Sequence, residues 1–402
     1  MSPLHLTFAL TLLIDVTWTA PRMVFSLYAL ALGAQPFEVG ILYAVLNLFP
    51  LLLSWPIGKL SDRIGPRPPL ALAIGCGAVG LIIPYLAHSM LALYVGSTLV
   101  GLAFAFFLVN VQNLVGVLSP VEKRAANFTT FSLIGASSNL IGPLIGGFSI
   151  DHWGHAVACL NIVAFSVVAA VLFIAWGGGL PGGTRRQTAG PAAPMLDVLS
   201  NRAIWPLLVT SSLVKLGTDL FQFYIPIYGH QIGLSASAVG AVLAVLAGSQ
   251  FIVRFVLPRL IKRVGEEAML VYAFYSAAAG FTLAPFMGNA LLLGMACFVF
   301  GIGMGVGQPI TTILLFNRSA DGRSGETLGL RLTVNNVVRV AGPLLFGFIA
   351  SAAGLLSVFL INAVMMGVGA VVSKPKGKAE GGRRKAEGTT SEGAGDTRKA
   401  EA

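Results

Sequence analysis

Long apolar runs dominate this chain. They fall at about 6–32, 38–58, 68–88, 90–118, 127–150, 156–176, 203–232, 236–258, 268–286, 289–316, 327–350 and 354–373. A helix crossing the hydrocarbon core needs about 20 consecutive apolar residues. Only helices or closed barrels satisfy the backbone there, and runs of this length are helical. The chain is therefore expected to be an all-α membrane protein of twelve transmembrane helices. Charged residues make up 10% of it, against about 25% in soluble proteins, so a soluble enzyme is excluded. No cleavable signal peptide is expected, because Met1 to His5 lack Lys and Arg and the first run continues past Leu30.

The charges that remain are sorted by side. Lys and Arg fall in alternate connections: Lys59, Arg63 and Arg67; Lys123 and Arg124; Arg185, Arg186 and Arg202; Arg259, Lys262 and Arg263; Arg318 and Arg323. The connections between them carry none. A tail from Lys374 to Ala402 holds 13 of the 42 charged side chains. The positive-inside rule then places both termini in the cytoplasm of a cell (inner or plasma) membrane protein. The net charge of +10 is thus a signal of topology, not of a nucleic-acid partner.

An internal repeat divides the spans. Shifting the chain by 200 residues superposes Tyr28, Gly33, Gly40, Arg63 and Gly65 on Tyr228, Gly233, Gly240, Arg263 and Gly265, and Gly142-Pro143-Leu144 on Gly342-Pro343-Leu344. Each half holds an even number of spans, so the repeats share one orientation. That is the arrangement of a transporter built from two bundles rocking about a central site. The expected domains are a first six-helix bundle (1–176), a Gly/Pro-rich cytoplasmic linker (177–202), a second bundle (203–373) and a disordered tail (374–402). The two bundles are pseudo-symmetric.

Two motifs carry a family resemblance. Gly58, Asp62, Arg63, Gly65 and Arg67 form a charged hairpin between spans two and three that resembles the signature loop of the major facilitator superfamily. Its counterpart in the second half keeps Arg263 and Gly265 but has Pro258 and Lys262. The resemblance implies a conformational latch in which Asp62 meets span eleven, where Arg331 is the candidate partner. In span five, Gly142, Pro143, Gly146 and Gly147 are similar to a helix-packing element of the antiporter branches. There Ser138 stands for a glycine, and in span four Ser97 stands where drug–proton antiporters carry an arginine.

Ionisable groups inside the bilayer are costly and usually line a polar pathway. Asp15, Arg22, Lys215, Asp219 and Arg339 lie at or near mid-depth. Spans three, six, nine and twelve have no Asp, Glu, Lys or Arg, which agrees with the family's arrangement of outer helices. Asn110, Asn113, Asn139, Gln222, Asn335 and Asn336 are further pathway candidates, or hydrogen-bonded glue between helices. Lys215 and Asp219, at i and i+4, can instead form a purely structural pair, and Asp15 can likewise pair permanently with a neighbour. Otherwise Asp15 or Asp219 exchanges protons, while Arg22, Lys215 and Arg339 meet a substrate. Three cations against two carboxylates lean toward an anionic group on that substrate.

Gly301, Gly303, Gly305 and Gly307, ahead of Gln308-Pro309, lack the lysine and strand of a phosphate loop and read as close packing or a bending point. Cys76, Cys159 and Cys297 read as packing residues, and no His/Cys cluster suits a metal. The expected function is secondary active transport of a small organic solute by alternating access, with a proton gradient as energy source and no cofactor. Efflux by antiport is favoured. Uptake of an organic anion by symport and a non-transporting sensor or scaffold are the alternatives. The expected partners are the substrate and the bilayer, with no nucleic acid and no obligate protein.

Overall fold

A computed structural model describes residues 2–181, 204–318 and 324–373. These residues form ten long helices with no strand among them: α1 (Pro3–Ala31), α2 (Pro36–Ile64), α3 (Arg67–Leu86), α4 (Met90–Leu118), α5 (Arg124–Trp176), α6 (Trp205–Gln231), α7 (Ala236–Val264), α8 (Glu266–Leu283), α9 (Ala290–Asn317) and α10 (Ser324–Val372). At 1.5 Å per residue, the 53 residues of α5 would extend about 80 Å, far beyond a hydrocarbon core of about 30 Å. The helix instead turns back at Gly154, where φ is 80°. The 49-residue α10 does the same at Gly354, where φ is 81°. Both positions need a residue without a Cβ. With two helices doubled in this way, the described residues agree with twelve crossings.

The fold is an all-α membrane protein of two pseudo-symmetric helical bundles. Nine of the helices are long and apolar enough to cross a membrane; α6, which carries Lys215 and Asp219, falls outside that set. Helix α2 runs six residues beyond its apolar run, through Lys59, Asp62 and Arg63, and ends only at Gly65. The signature motif was expected as a hairpin loop, yet Gly58, Asp62 and Arg63 are helical. Charged side chains do not end a helix, whereas Gly65, with φ 84°, does. Its repeat mate Gly265 ends α7 in the same way, with φ 88°. The linker expected at 177–202 opens with a 3-10 turn at Gly177–Gly179. Its remainder from 182, and the tail 374–402, lie outside the described residues.

Small residues set the helix spacing. A Cβ on Gly146 would come within 2.9 Å of Val24, and one on Gly142 would collide with Thr19, so α5 lies directly against α1. Thr19 Oγ1 donates to the Ser138 carbonyl at 2.9 Å along that seam. In α9 the alternating glycines abut three neighbours. Gly301 and Gly305 face α7, Gly303 faces the Ala273 carbonyl of α8, and Gly307 faces Val214 of α6. The α9 helix is unbroken there, so this run is close packing.

The two halves meet along two seams, α2 with α10 and α5 with α7. A Cβ on Gly40 would come within 2.6 Å of the Pro343 carbonyl oxygen, and Gly347 sits over Pro36 and Phe37. Their repeat mates Gly240 and Gly147 press on Pro143 and Ala236 in the same manner. These contacts gather at the end opposite the Lys/Arg-rich connections. That end is closed.

Candidate functional site

Between mid-depth and the basic end lies a cavity of about 310 Å³, bounded by α1, α4, α5, α7 and α10. Trp18, Phe104, Phe131 and Phe251 supply its aromatic walls, and Asp15, Arg22, Arg254, Arg339, Asn139 and Gln250 its polar ones. Trp18 and Phe104 are stacked, with centroids 3.9 Å apart and planes 6° apart. A second, smaller cavity of about 30 Å³ shares Thr19, Arg22 and Asn139 and adds Tyr43 and Gln222.

Asp219, 2% exposed, anchors a charge network behind the larger cavity. Lys215 Nζ lies 2.5 Å from Asp219 Oδ1, Arg339 Nε 3.6 Å from Oδ2, and Arg22 Nη2 4.0 Å from Oδ1. Arg22 also donates to Gln222 Oε1 at 3.1 Å and to the Tyr43 hydroxyl. The Lys215–Asp219 pair is therefore not isolated. One carboxylate serves three cations drawn from both halves. A buried charge stripped of its partners typically costs about 3–5 kcal/mol, which holds this arrangement together while leaving it net positive.

The network follows the repeat. Arg22 and Gln222, which hydrogen-bond each other, are 200 residues apart. The same offset pairs Asp15 with Lys215, Thr19 with Asp219 and Asn139 with Arg339. Repeat-related positions thus converge on one centre with different chemistry.

Asp15 lines the cavity with no Lys or Arg nitrogen within 4 Å among the described residues. Asn139 also lines the cavity, and its amide donates to the Gly135 carbonyl at 2.8 Å. Other sequence candidates sit elsewhere. Asn110 accepts from Ser61 Oγ at 2.5 Å and donates to the Phe106 carbonyl, tying α4 to α2. Asn335 donates to Ser211 Oγ at 3.4 Å. Asn113 and Asn336 stand outside the linings of both cavities.

Arg331 is buried and donates to Ser211 Oγ at 2.7 Å and Gln308 Oε1 at 2.6 Å. Its partners are thus in α6 and α9 of its own half, while the Asp62 side chain lies outside the described residues. Arg67 donates to the Leu180 carbonyl at 3.1 Å and to Gly178, fastening the start of the linker. Arg63 is exposed. Sequence reasoning passed over Tyr43, Gln250 and the cavity role of Arg254, which donates to the Gly305 carbonyl at 3.3 Å.

It also passed over the closure at the charge-poor end. Asp151, at the end of the first limb of α5, accepts from Ala236 N at 2.9 Å and Ser237 N at 2.8 Å. These are the first two amides of α7, in the other half. Its repeat mate Ser351 accepts from Phe37 N at 3.1 Å. Partial burial acts to raise the Asp151 carboxyl, but hydrogen bonds from Ser237, Ala236 and Ser235 outweigh it and hold the group below the usual carboxylate range.

Comparison with known proteins agrees with this architecture. Residues 7–343 match the family model described as Major Facilitator Superfamily. The "Multidrug resistance protein MdtG" of Klebsiella pneumoniae (strain 342) is 26% identical over 348 residues, covering 83% of this chain and 82% of that protein. The protein of the same name from Salmonella arizonae is 25% identical over 347 residues, 83% and 84% of the two chains. Among solved structures, the nucleoside transporter NupG superposes with a TM-score of 0.74 at 14% identity, covering 94% of this chain and 100% of that one. A bacterial homologue of the lysosomal transporter Spinster, in an inward-facing and occupied conformation, does so with a TM-score of 0.74 at 13% identity, covering 92% and 95%. The two likenesses in structure speak for the fold, and the family match spans most of the sequence: this chain is a membrane transporter, not an enzyme, and belongs to the Major Facilitator Superfamily.

Proposed function

We propose that the protein exports small organic solutes from the cell in exchange for protons. One observation carries this reading. A cavity closed at the charge-poor end holds a carboxylate, Asp15, with no Lys or Arg nitrogen within 4 Å among the described residues, while Arg22 and Arg339 of the same lining are engaged with Asp219. Placing the basic connections in the cytoplasm of a cell (inner or plasma) membrane makes the conformation inward-facing. Both termini, the linker 177–202 and the tail 374–402 are then cytoplasmic, and bundles 1–176 and 203–373 are the rocking units. Solute enters the cavity from the cytoplasm as Asp15 releases its proton. The opposite face then opens, solute leaves, and Asp15 is reprotonated. No cofactor enters this cycle. The curated relatives named as multidrug resistance proteins support export.

Proton symport is the second reading, favoured by Ser97 at the span-four position where drug–proton antiporters carry an arginine. Vesicles with the protein in one orientation decide between them. Antiport predicts that solute moves against an imposed proton gradient, and symport predicts movement with it. Solute flux indifferent to gradients of either sign would reject proton coupling.

A further inference from the structure

We infer that the central cavity selects a compact organic anion with an aromatic body. The inference deepens the transport reading by naming the substrate class of the same site. The carboxylate and the cations of the network face differently. Arg22 and Arg339 line the large cavity, whereas Asp219 and Lys215 are absent from its lining. With Arg254 and Asp15 added, the lining carries three cations and one carboxylate.

Hydrogen-bonding capacity leans the same way. Arg22 Nε and Gln250 Nε2 are buried donors without a hydrogen-bond partner. Both residues line this cavity. Buried polar groups in folded proteins are nearly always partnered, and two unanswered donors on lining residues favour an acceptor-rich ligand over a cationic one. Arg339 Nε and Asp219 Oδ2, which also lack hydrogen bonds, face each other at 3.6 Å and answer one another. A sulfonate, phosphonate or carboxylate presents several acceptor oxygens and a negative charge to planar guanidinium groups.

The rest of the ligand is fixed by the walls. The stacked pair Trp18–Phe104, with Phe131 and Phe251, offers flat apolar surface, and a volume of about 310 Å³ lies at the small end of ligand pockets, which run from about 300 to 1,000 Å³. A cationic amphipath of the same size would bring its charge against Arg22, Arg254 and Arg339 and leave the orphaned donors unanswered.

The test compares two probes of matched body and opposite charge, 2-naphthalenesulfonate and 2-naphthyltrimethylammonium. Binding to the full-length protein in nanodiscs is measured by equilibrium dialysis, with protein-free nanodiscs subtracted. The sulfonate is expected to bind at least tenfold tighter than the ammonium. Arg339→Gln and Arg22→Gln should each weaken sulfonate binding at least tenfold. Asp219→Asn, which makes the centre more positive, should leave it equal or tighter. A cation that binds better than the anion overturns the inference, as does an Asp219→Asn protein that loses ammonium binding while sulfonate binding is indifferent to both arginines. The comparison of the two probes on the wild-type protein needs no variant, so it holds even where a substitution misfolds. Binding is read without a gradient: an anion that binds but is never moved by protons fails the export reading alone. A cation moved by protons alongside an anion that does not bind fails this inference alone.

Discussion

Asp151→Ala should loosen the closed end of the transporter, and the structure sets the size of the effect. The first turn of α7 presents amides with no partner inside the helix. The hydroxyl of its own N-cap, Ser235, accepts from Ala238 N at 3.2 Å, and Ala236 N and Ser237 N are met by Asp151 across the interface between halves. Losing a capping side chain costs about 0.5–2 kcal/mol, and a carboxylate at a helix N-terminus adds about 0.3–1 kcal/mol. Asp151 is exposed and water replaces it when the halves part, which places the net near the low end, about 1 kcal/mol. That is a roughly fivefold shift of the closed-to-open ratio. Ser351→Ala removes one neutral bond and should shift it less.

The assay is a distance distribution between spin labels at His88→Cys and Gly288→Cys, exposed repeat-related turn positions at that end. Asp151→Ala should transfer population from a short to a long distance, with Asp151→Asn intermediate. The carboxyl is held below its ordinary value in the closed form, so its contribution is fully present above about 3.9. It is lost only as the pH falls through the lower closed-state value. Closure should therefore be flat from pH 7 to about 5 and weaken only under stronger acid. Distances unchanged in Asp151→Ala, or a transition near neutral pH, would refute the capping argument.

Other outcomes follow from the same geometry. Gly147→Leu drives a side chain into Ala236 and Ser237 and should hold the charge-poor end open by about 1–3 kcal/mol of overpacking, read with the same labels. Asp15→Asn should abolish proton-driven accumulation in vesicles while leaving sulfonate binding in place; retained coupling removes Asp15 from the proton path. Deleting 374–402 should leave transport rates unchanged, since every residue of the cavity lining lies before this segment.

The fold was legible because hydropathy and the placement of Lys and Arg are properties of the chain read in order. The turn at Gly154 falls in the gap between two apolar runs and the turn at Gly354 opens the last run, and the repeat exposes the glycines at which helices approach. The site was only half legible. Asp15, Arg22, Lys215, Asp219 and Arg339 stand out as charges in apolar runs. Their convergence depends on how each helix is rotated about its axis, and helices apolar on all sides carry little periodicity to fix that. For the same reason Asn110 and Asn335, which bond to neighbouring helices, could not be told from Asn139 at the cavity. Asp151 lies in the gap between two apolar runs, where hydropathy marks nothing. The repeat could have found it, since its offset pairs Asp151 with Ser351 and Ala236-Ser237 with Pro36-Phe37, one contact made twice.

The surplus of positive charge at mid-depth also bears on how the carrier meets a membrane voltage. When access switches from one face to the other, the potential drop moves across the fixed charges of Arg22, Lys215, Asp219 and Arg339. Each elementary charge carried through the full field is worth about 2.3 kcal/mol per 100 mV. An empty carrier with this unbalanced centre would feel the voltage on every return stroke, while one loaded with an anion would be closer to electrically silent. The single carboxylate among three cations would then set the electrical sensitivity of the carrier.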